Sequence, residues 1–262
     1  MELYLKSKSV LVLASSKGLG KASALEFTKE GANVMLASRN LEELELAQKE
    51  IEKETGRKPN IQVCDVTKPE DIKNLVNVTV ELQGTVDVLV NNAGGPPAGG
   101  FDVFDDEKWQ YAFELNLLSF IRAIREVIPY MRKQGGGRIV NIASSSIKEP
   151  VDGLILSNTF RTGIVGLSKT LAKELGPDQI LINTVGPGRI GTDRVAQLDQ
   201  IRADKLGVSY EEGKKQMEQA IPLGRYGTPD EFAKMIVFLG SFANTYVTGQ
   251  AIVVDGGATK SF

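Results

Sequence analysis

The chain has 262 residues, 42% of them hydrophobic and 24% charged, with a formal net charge of −2 at pH 7. That length suits one large α/β domain or two small ones, and the balanced charge points to neither nucleic acid nor an anionic membrane surface. Histidine is absent and Cys64 is the only cysteine. These counts exclude an intramolecular disulfide, argue against a zinc site and remove the commonest general base.

The N-terminal residues, MELYLKSKSVLVLASS, lack the long apolar run and small-residue cleavage site of a signal peptide, and no stretch approaches the ~20 apolar residues needed to span a bilayer. A soluble cytoplasmic protein is the expectation. Residues 9–16 are an apolar run ending in small residues, which reads as a buried strand. Residues 17–31 carry Leu19, Ala22, Leu25 and Phe27 at helical spacing and stop at Gly31. Strand 32–38 and a charged helix over 40–56 follow, the latter striped by Leu41, Leu44, Ala47 and Ile51. The alternation continues with strand 60–66, helix 68–84, strand 86–94 and a long helix over roughly 105–133. Strand 137–144, a helix over roughly 157–175, strand 180–188, a helical segment within 192–220, helix 228–241 and strand 249–257 complete it.

Near-continuous apolar strands between amphipathic helices predict a parallel sheet covered on both faces. The reading is a single doubly wound Rossmann-type α/β domain over 1–262, with seven parallel strands and helices on both faces. Residues 189–227 are long, polar and poorly periodic, as mobile lid or substrate segments are.

Ligands of such sheets bind at the carboxyl ends of the strands. The first strand runs into ASSKGLG, where Gly18 and Gly20 permit a tight turn, and the following helix offers N–H groups and a positive dipole end to a phosphate. Ser15, Ser16, Lys17 and Leu19 belong to the same turn. A Gly-x-Gly alone equally suits a plain strand-to-helix turn. About 20 residues on, an acid would read a ribose 2′-hydroxyl and an arginine would accommodate a 2′-phosphate. Here Ser38 and Arg39 end the second strand, and Arg39 argues for NADP, with NAD the alternative cofactor.

The motifs then fall into a familiar order. Gly18 and Gly20, Asp65-Val66, Asn91-Asn92-Ala93-Gly94, Asn116 in ELNLL, Ser144 in VNIAS, Pro187-Gly188 and Asp255-Gly256-Gly257 follow one another along nearly the whole chain. In this the sequence resembles the short-chain dehydrogenase/reductase family, and within it the β-ketoacyl carrier-protein-reductase-like members. The resemblance implies roles for these residues. The glycine turn holds the pyrophosphate, and Asp65 and Val66 face the adenine. The Asn92 to Gly94 backbone lines the pocket, while Pro187, Gly188 and Ile190 flank the nicotinamide. Asn116 breaks its helix and holds a water of a proton relay, and Ser144 hydrogen-bonds the substrate carbonyl.

Two departures stand out. Where the family begins the glycine turn with Thr-Gly, this chain has Leu13-Ala14, and alanine restricts φ. Where the family has a catalytic tyrosine thirteen residues after the serine and a lysine four further on, this chain has Ser157 and Arg161. Counting back from Gly166-Leu167 gives the same register. A serine hydroxyl is a far weaker acid than a phenol of pKa about 10. Arg161 keeps the positive charge and can donate to ribose hydroxyls as a planar fork, and Ser144, Ser157 and Arg161 together suit a developing oxyanion. Lys148 and Tyr210 are candidates to swing in as proton donors.

The resemblance implies an NADP-dependent oxidoreductase that transfers hydride between nicotinamide and a carbonyl or alcohol, 3-oxoacyl thioesters among its substrates, with catalytic residues Asn116, Ser144, Ser157 and Arg161. The altered pair leaves a non-catalytic nucleotide-binding or scaffold protein, or a hydride-free reaction, as alternatives. Substrate choice is expected to reside in 95–104, 146–156 and 189–227. The family implies a homotetramer or homodimer built through the helices near 105–133 and 157–175.

Overall fold

A computed structural model describes residues 1–261 of the chain. Among these, the strands are β1 (Ser9–Val12), β2 (Asn33–Ser38), β3 (Asn60–Val63), β4 (Val88–Asn91), β5 (Gly137–Ile142), β6 (Ile180–Pro187) and β7 (Ala251–Val254). The helices are α1 (Gly18–Lys29), α2 (Leu41–Thr55), α3 (Pro69–Gln83), α4 (Asp106–Phe113), α5 (Ser119–Lys133), α6 (Ile155–Leu175), α7 (Asp193–Leu206), α8 (Tyr210–Gln219) and α9 (Pro229–Gly240).

The strands form one parallel sheet in the order β3-β2-β1-β4-β5-β6-β7. Side-chain alternation divides the core into two layers. Leu11, Met35, Leu89, Ile139 and Ile182 pack beneath α3, α5 and α6. Val10, Val12, Val34, Leu36 and Val88 pack on the opposite face beneath α1, α2 and α9. Phe27 of α1 is fully buried there, worth about 1.5–3 kcal/mol of transfer free energy. Gly240 lets α9 approach it, since a Cβ at that position would lie 2.8 Å from the Phe27 ring.

Local chemistry fixes the ends of the helices. The Asn40 side chain caps α2 by accepting from Glu43 N, and Gly56 closes the helix at φ 69°. Pro69 opens α3 and Gly84 closes it at φ 84°. Thr228 and Glu231 form a reciprocal capping box around Pro229 at the start of α9.

Three expected helices differ in detail. The segment expected over 105–133 is α4 and α5 joined by a π-helical turn, Glu114–Leu118, centred on Asn116. The helix expected from 157 starts at Ile155, because the Asn158 side chain pairs with both the N–H and the C=O of Val151 and draws the chain into register earlier. The segment within 192–220 is two helices, α7 and α8. Gly207 at φ 66° ends the first, and Ser209 with Glu212 caps the second. Much of the segment expected to lack periodicity is therefore helical. Among the described residues, no helix is long and apolar enough to cross a membrane.

Candidate active site

The strand order reverses between β1 and β4, where the connections leave for opposite faces and open a crevice at the carboxyl ends of the strands. A cavity of about 1160 Å³ lies there. It exceeds the usual volume of a small-ligand pocket, ~300–1,000 Å³, and suits a dinucleotide with a substrate beside it.

One end is built by the turn from β1 into α1. Ser16, Lys17, Gly18 and Leu19 line it. Gly18 takes φ 58°, and Ala14 takes φ 46°, a left-handed conformation that costs a non-glycine residue ~1–2 kcal/mol. The Ala14 carbonyl is fixed by the Asn92 side-chain amide at 3.0 Å. Gly20 sits beneath, and its Cβ would lie 2.4 Å from that carbonyl. Ser38 and Arg39 at the end of β2 complete this part of the wall.

The wall also contains Glu43, which the sequence does not single out. Its carboxylate accepts from the Ser16 hydroxyl at 3.0 Å and from Lys17 at 3.3 Å, and Ser16 is also 3.0 Å from Ser38. The Ser16 hydrogen bond, followed by the charges of Lys17 and Arg39, holds its pKa below the ordinary carboxylate range. An acid therefore sits among the groups expected to receive a 2′-phosphate.

The middle and far end are walled by Val66, Asn92, Ala93, Gly94, Pro187, Gly188 and Ile190, with Ser144, Ser157 and Arg161. Four expected residues stand off the wall. The buried Ser15 hydroxyl donates to Val12 O and accepts from Ala37 N, so it knits β1 to β2. Gly20 serves the packing just described. The Asp65 carboxylate accepts from the Thr67 N–H and hydroxyl through Oδ1, which shapes the turn after β3. Asn116 lies fully buried behind the wall. Its amide donates to Gly94 O at 2.9 Å, and its Oδ1 has no protein partner.

Ser144 follows β5 and caps a short 3₁₀ turn, its Oγ accepting from Ser146 N at 3.2 Å. The hydroxyl hydrogen stays available to a ligand. Ser157, in the first turn of α6, is 8% exposed and lines the same end.

Arg161 lies one turn further along α6 and is 4% exposed. Its Nη1 donates to Ile142 O at 2.7 Å and its Nη2 to Ala93 O at 3.2 Å, while its Nε is buried without a partner. The fork thus fastens the end of β5 to the turn after β4, so part of the donor capacity expected for a ribose goes to the sheet. Burial, then the charge of Arg194, pushes its pKa down to about 10, which leaves it protonated at neutral pH.

Lys148 is exposed and off the wall, and Tyr210 opens α8, also off it. The tyrosine that does line the cavity is Tyr111 of α4, five residues before Asn116. Arg194, in the first turn of α7, lines it as well and donates to Pro96 O at 2.6 Å.

Similarity to known proteins agrees with this arrangement. The family model described as enoyl-(acyl carrier protein) reductase matches residues 13–259. The 3-oxoacyl-[acyl-carrier-protein] reductase FabG of Thermotoga maritima is 36% identical over 255 residues, covering 97% of this chain and 99% of that protein. The L-sorbose reductase of Gluconobacter frateurii, solved with NADPH and L-sorbose, superposes with a TM-score of 0.94 at 32% identity over 100% of both chains. Actinorhodin polyketide ketoreductase, solved as a variant with NADPH, superposes with a TM-score of 0.93 at 36% identity over 97% of both chains. With the sheet order, the glycine turn and the ordered motifs, these matches place the chain in the short-chain dehydrogenase/reductase family of NAD(P)-dependent oxidoreductases.

Proposed function

We propose that this chain is an NADPH-dependent reductase of small carbonyl compounds whose proton route uses no phenol at position 157. The observation that carries the reading is the grouping of Ser144, Ser157 and Arg161 at one end of a cavity whose other end is a glycine turn at a helix N-terminus. The residues fit the cofactor. Gly18 at φ 58° exposes the first N–H groups of α1 to a pyrophosphate, and Ser16, Lys17, Ser38 and Arg39 surround the 2′-phosphate position. NADPH, when bound, supplies the hydride.

The chain's own residues then polarise the carbonyl. Ser144 and Ser157 donate to its oxygen, and the buried Arg161 charge stabilises negative charge as it develops there. The proton arrives through water held by the unpartnered Oδ1 of Asn116, inside the π-turn. In balance, reduction would add a hydride to the carbonyl carbon and a proton to its oxygen, with bound NADPH as the two-electron donor. General acid catalysis commonly contributes ~10²–10⁴-fold, so kcat is expected to lie below that of phenol-bearing relatives by a factor within that range.

The test is steady-state NADPH oxidation against a carbonyl panel that includes 3-oxoacyl thioesters. Turnover that falls by roughly 10–10²-fold in Ser157→Ala supports the reading. Tight NADPH binding with no turnover on any member refutes it. Cofactor choice is tested separately, because Arg39→Ala should weaken NADPH far more than NADH.

A second reading, a nucleotide-binding protein without catalysis, is favoured by the joint absence of tyrosine and lysine at 157 and 161. Activity that appears only in the Ser157→Tyr, Arg161→Lys double variant would establish it. The proposal extends to a cytoplasmic, single-domain protein with 189–227 as its substrate lid, assembled as a homotetramer through the faces of α4 to α6. Light scattering at micromolar concentration reads that assembly directly.

A further inference from the structure

The geometry points to a substrate that carries a free carboxylate, gripped by Arg194 with Arg161 behind it, next to the carbonyl that is reduced. This rests on the reductase reading and narrows its substrate class from carbonyl compounds to oxo acids.

Two guanidinium groups stand at the same end of the cavity as Ser144 and Ser157. Both are tied to one short turn after β4, Arg161 through Ala93 O and Arg194 through Pro96 O. Gly95 between them leaves room for the second guanidinium, since a Cβ there would lie 2.8 Å from Arg194 Nε. Among the described residues neither arginine forms an ion pair. The acids on the wall do not serve them. Glu43 is engaged at the opposite end with Ser16 and Lys17, Glu42 beside it on α2 is exposed, and Asp193 is exposed at the first position of α7.

The same segment shows what a structural arginine looks like. Arg189 is paired with the buried Asp199, which also accepts from the Tyr226 hydroxyl at 2.9 Å. Arg194, five residues later, has a single carbonyl partner, and its Nε and Nη1 have none. Two like charges drawn out of water are destabilising unless an anion joins them. A carboxylate matches the free edge of a guanidinium by two parallel hydrogen bonds, as a phosphate also does and a neutral ester or thioester does not. Tyr111, Leu154 and Leu198 on the nearby wall suit an apolar body attached to that acid.

The experiment has a binding arm and a turnover arm, both on the full chain saturated with NADPH or NADP⁺. In the binding arm, oxamate, malonate and isovalerate are titrated calorimetrically. The expected result is binding of at least one of them, weakened tenfold or more in Arg194→Met and partly restored in Arg194→Lys, with the NADPH Kd changed less than threefold. In the turnover arm, 4-methyl-2-oxopentanoate and acetoacetate are each compared with their methyl esters. The acids should be preferred at least tenfold in kcat/KM, and Arg194→Met should erase the preference.

Carboxylate binding that is absent or indifferent to Arg194 overturns the inference. So does a parallel loss of NADPH affinity in Arg194→Met, which would assign Arg194 to the pyrophosphate. Equal use of acids and esters also overturns it. Carboxylate binding without turnover on either compound class leaves the anion site standing and sinks the reductase reading, so the two failures are distinct.

Discussion

Replacing Arg161 by lysine tests whether its guanidinium is a structural fastener. The substitution keeps a cation inside the fold, so the penalty for burying charge changes little. What changes is the number of carbonyls reached. The fork donates to Ile142 O at 2.7 Å, at the end of β5, and to Ala93 O at 3.2 Å, in the turn after β4. A single ammonium can satisfy one of them well, and the other is left buried without a donor. A hydrogen bond involving a charged group contributes ~1.5–3 kcal/mol, so Arg161→Lys should lose about that much stability. The wild-type arrangement is itself a balance. Burial opposes the charged form of this guanidinium, and its two carbonyl hydrogen bonds offset that cost. For a chain of this size the expected fall in Tm is ~3–12 °C. Denaturant unfolding followed by circular dichroism, without cofactor, measures it. A change under ~0.5 kcal/mol, or a gain, would refute the assignment of the fork to the sheet.

Three further outcomes are expected. Glu43→Gln removes a carboxylate from among Ser16, Lys17, Ser38 and Arg39, so NADPH should bind roughly three- to tenfold more tightly while NADH changes less than about twofold, read by fluorescence titration. Tyr111→Phe should leave kcat within about threefold if the proton comes by water from Asn116, and a loss near 10²-fold would transfer the acid role to this phenol. Glu231 is held down to about 2, first by the Arg225 hydrogen bond and then by Thr228 N. Its folded pKa is depressed, so its contribution is present above pH 4.5 and lost as pH falls toward 2. Glu231→Gln should flatten the acid limb of the stability profile in that window, and an unchanged limb would remove the group from the account.

The architecture was readable because the central strands carry apolar runs buried on two faces, as in Val10 to Leu13 and Val88 to Val90. The helix boundaries at Gly56, Gly84 and Pro229 were readable for the same reason that they work, namely left-handed or fixed φ at one residue. Gly207 carries that signal too, but the polar helices on either side have little apolar face to mark them.

The site divides differently. Residues on strand ends keep their register, so Ser144, Pro187 and Gly188 lie where their order implies. Tyr111, Glu43 and Arg194 reach the cavity from the first turns or outer faces of helices, where arrival depends on helix rotation and on no local pattern. Asp65 and Ser15 carry the expected residue types, yet each has a nearer backbone partner, and short side chains engage what is local first.

The fastening of a strand end to a neighbouring turn by one side chain restricts the paths open to this sequence. A variant given a phenol at position 157 would still hold an arginine on which Ile142 O and Ala93 O depend. Replacement of Arg161 by lysine leaves an orphaned carbonyl at the floor of the pocket. Position 161 is thus a part of the scaffold as well as of the cavity wall. Directed evolution toward the ordinary proton route should therefore yield, alongside Ser157→Tyr, compensating donors near the 93–96 turn before it yields Arg161→Lys.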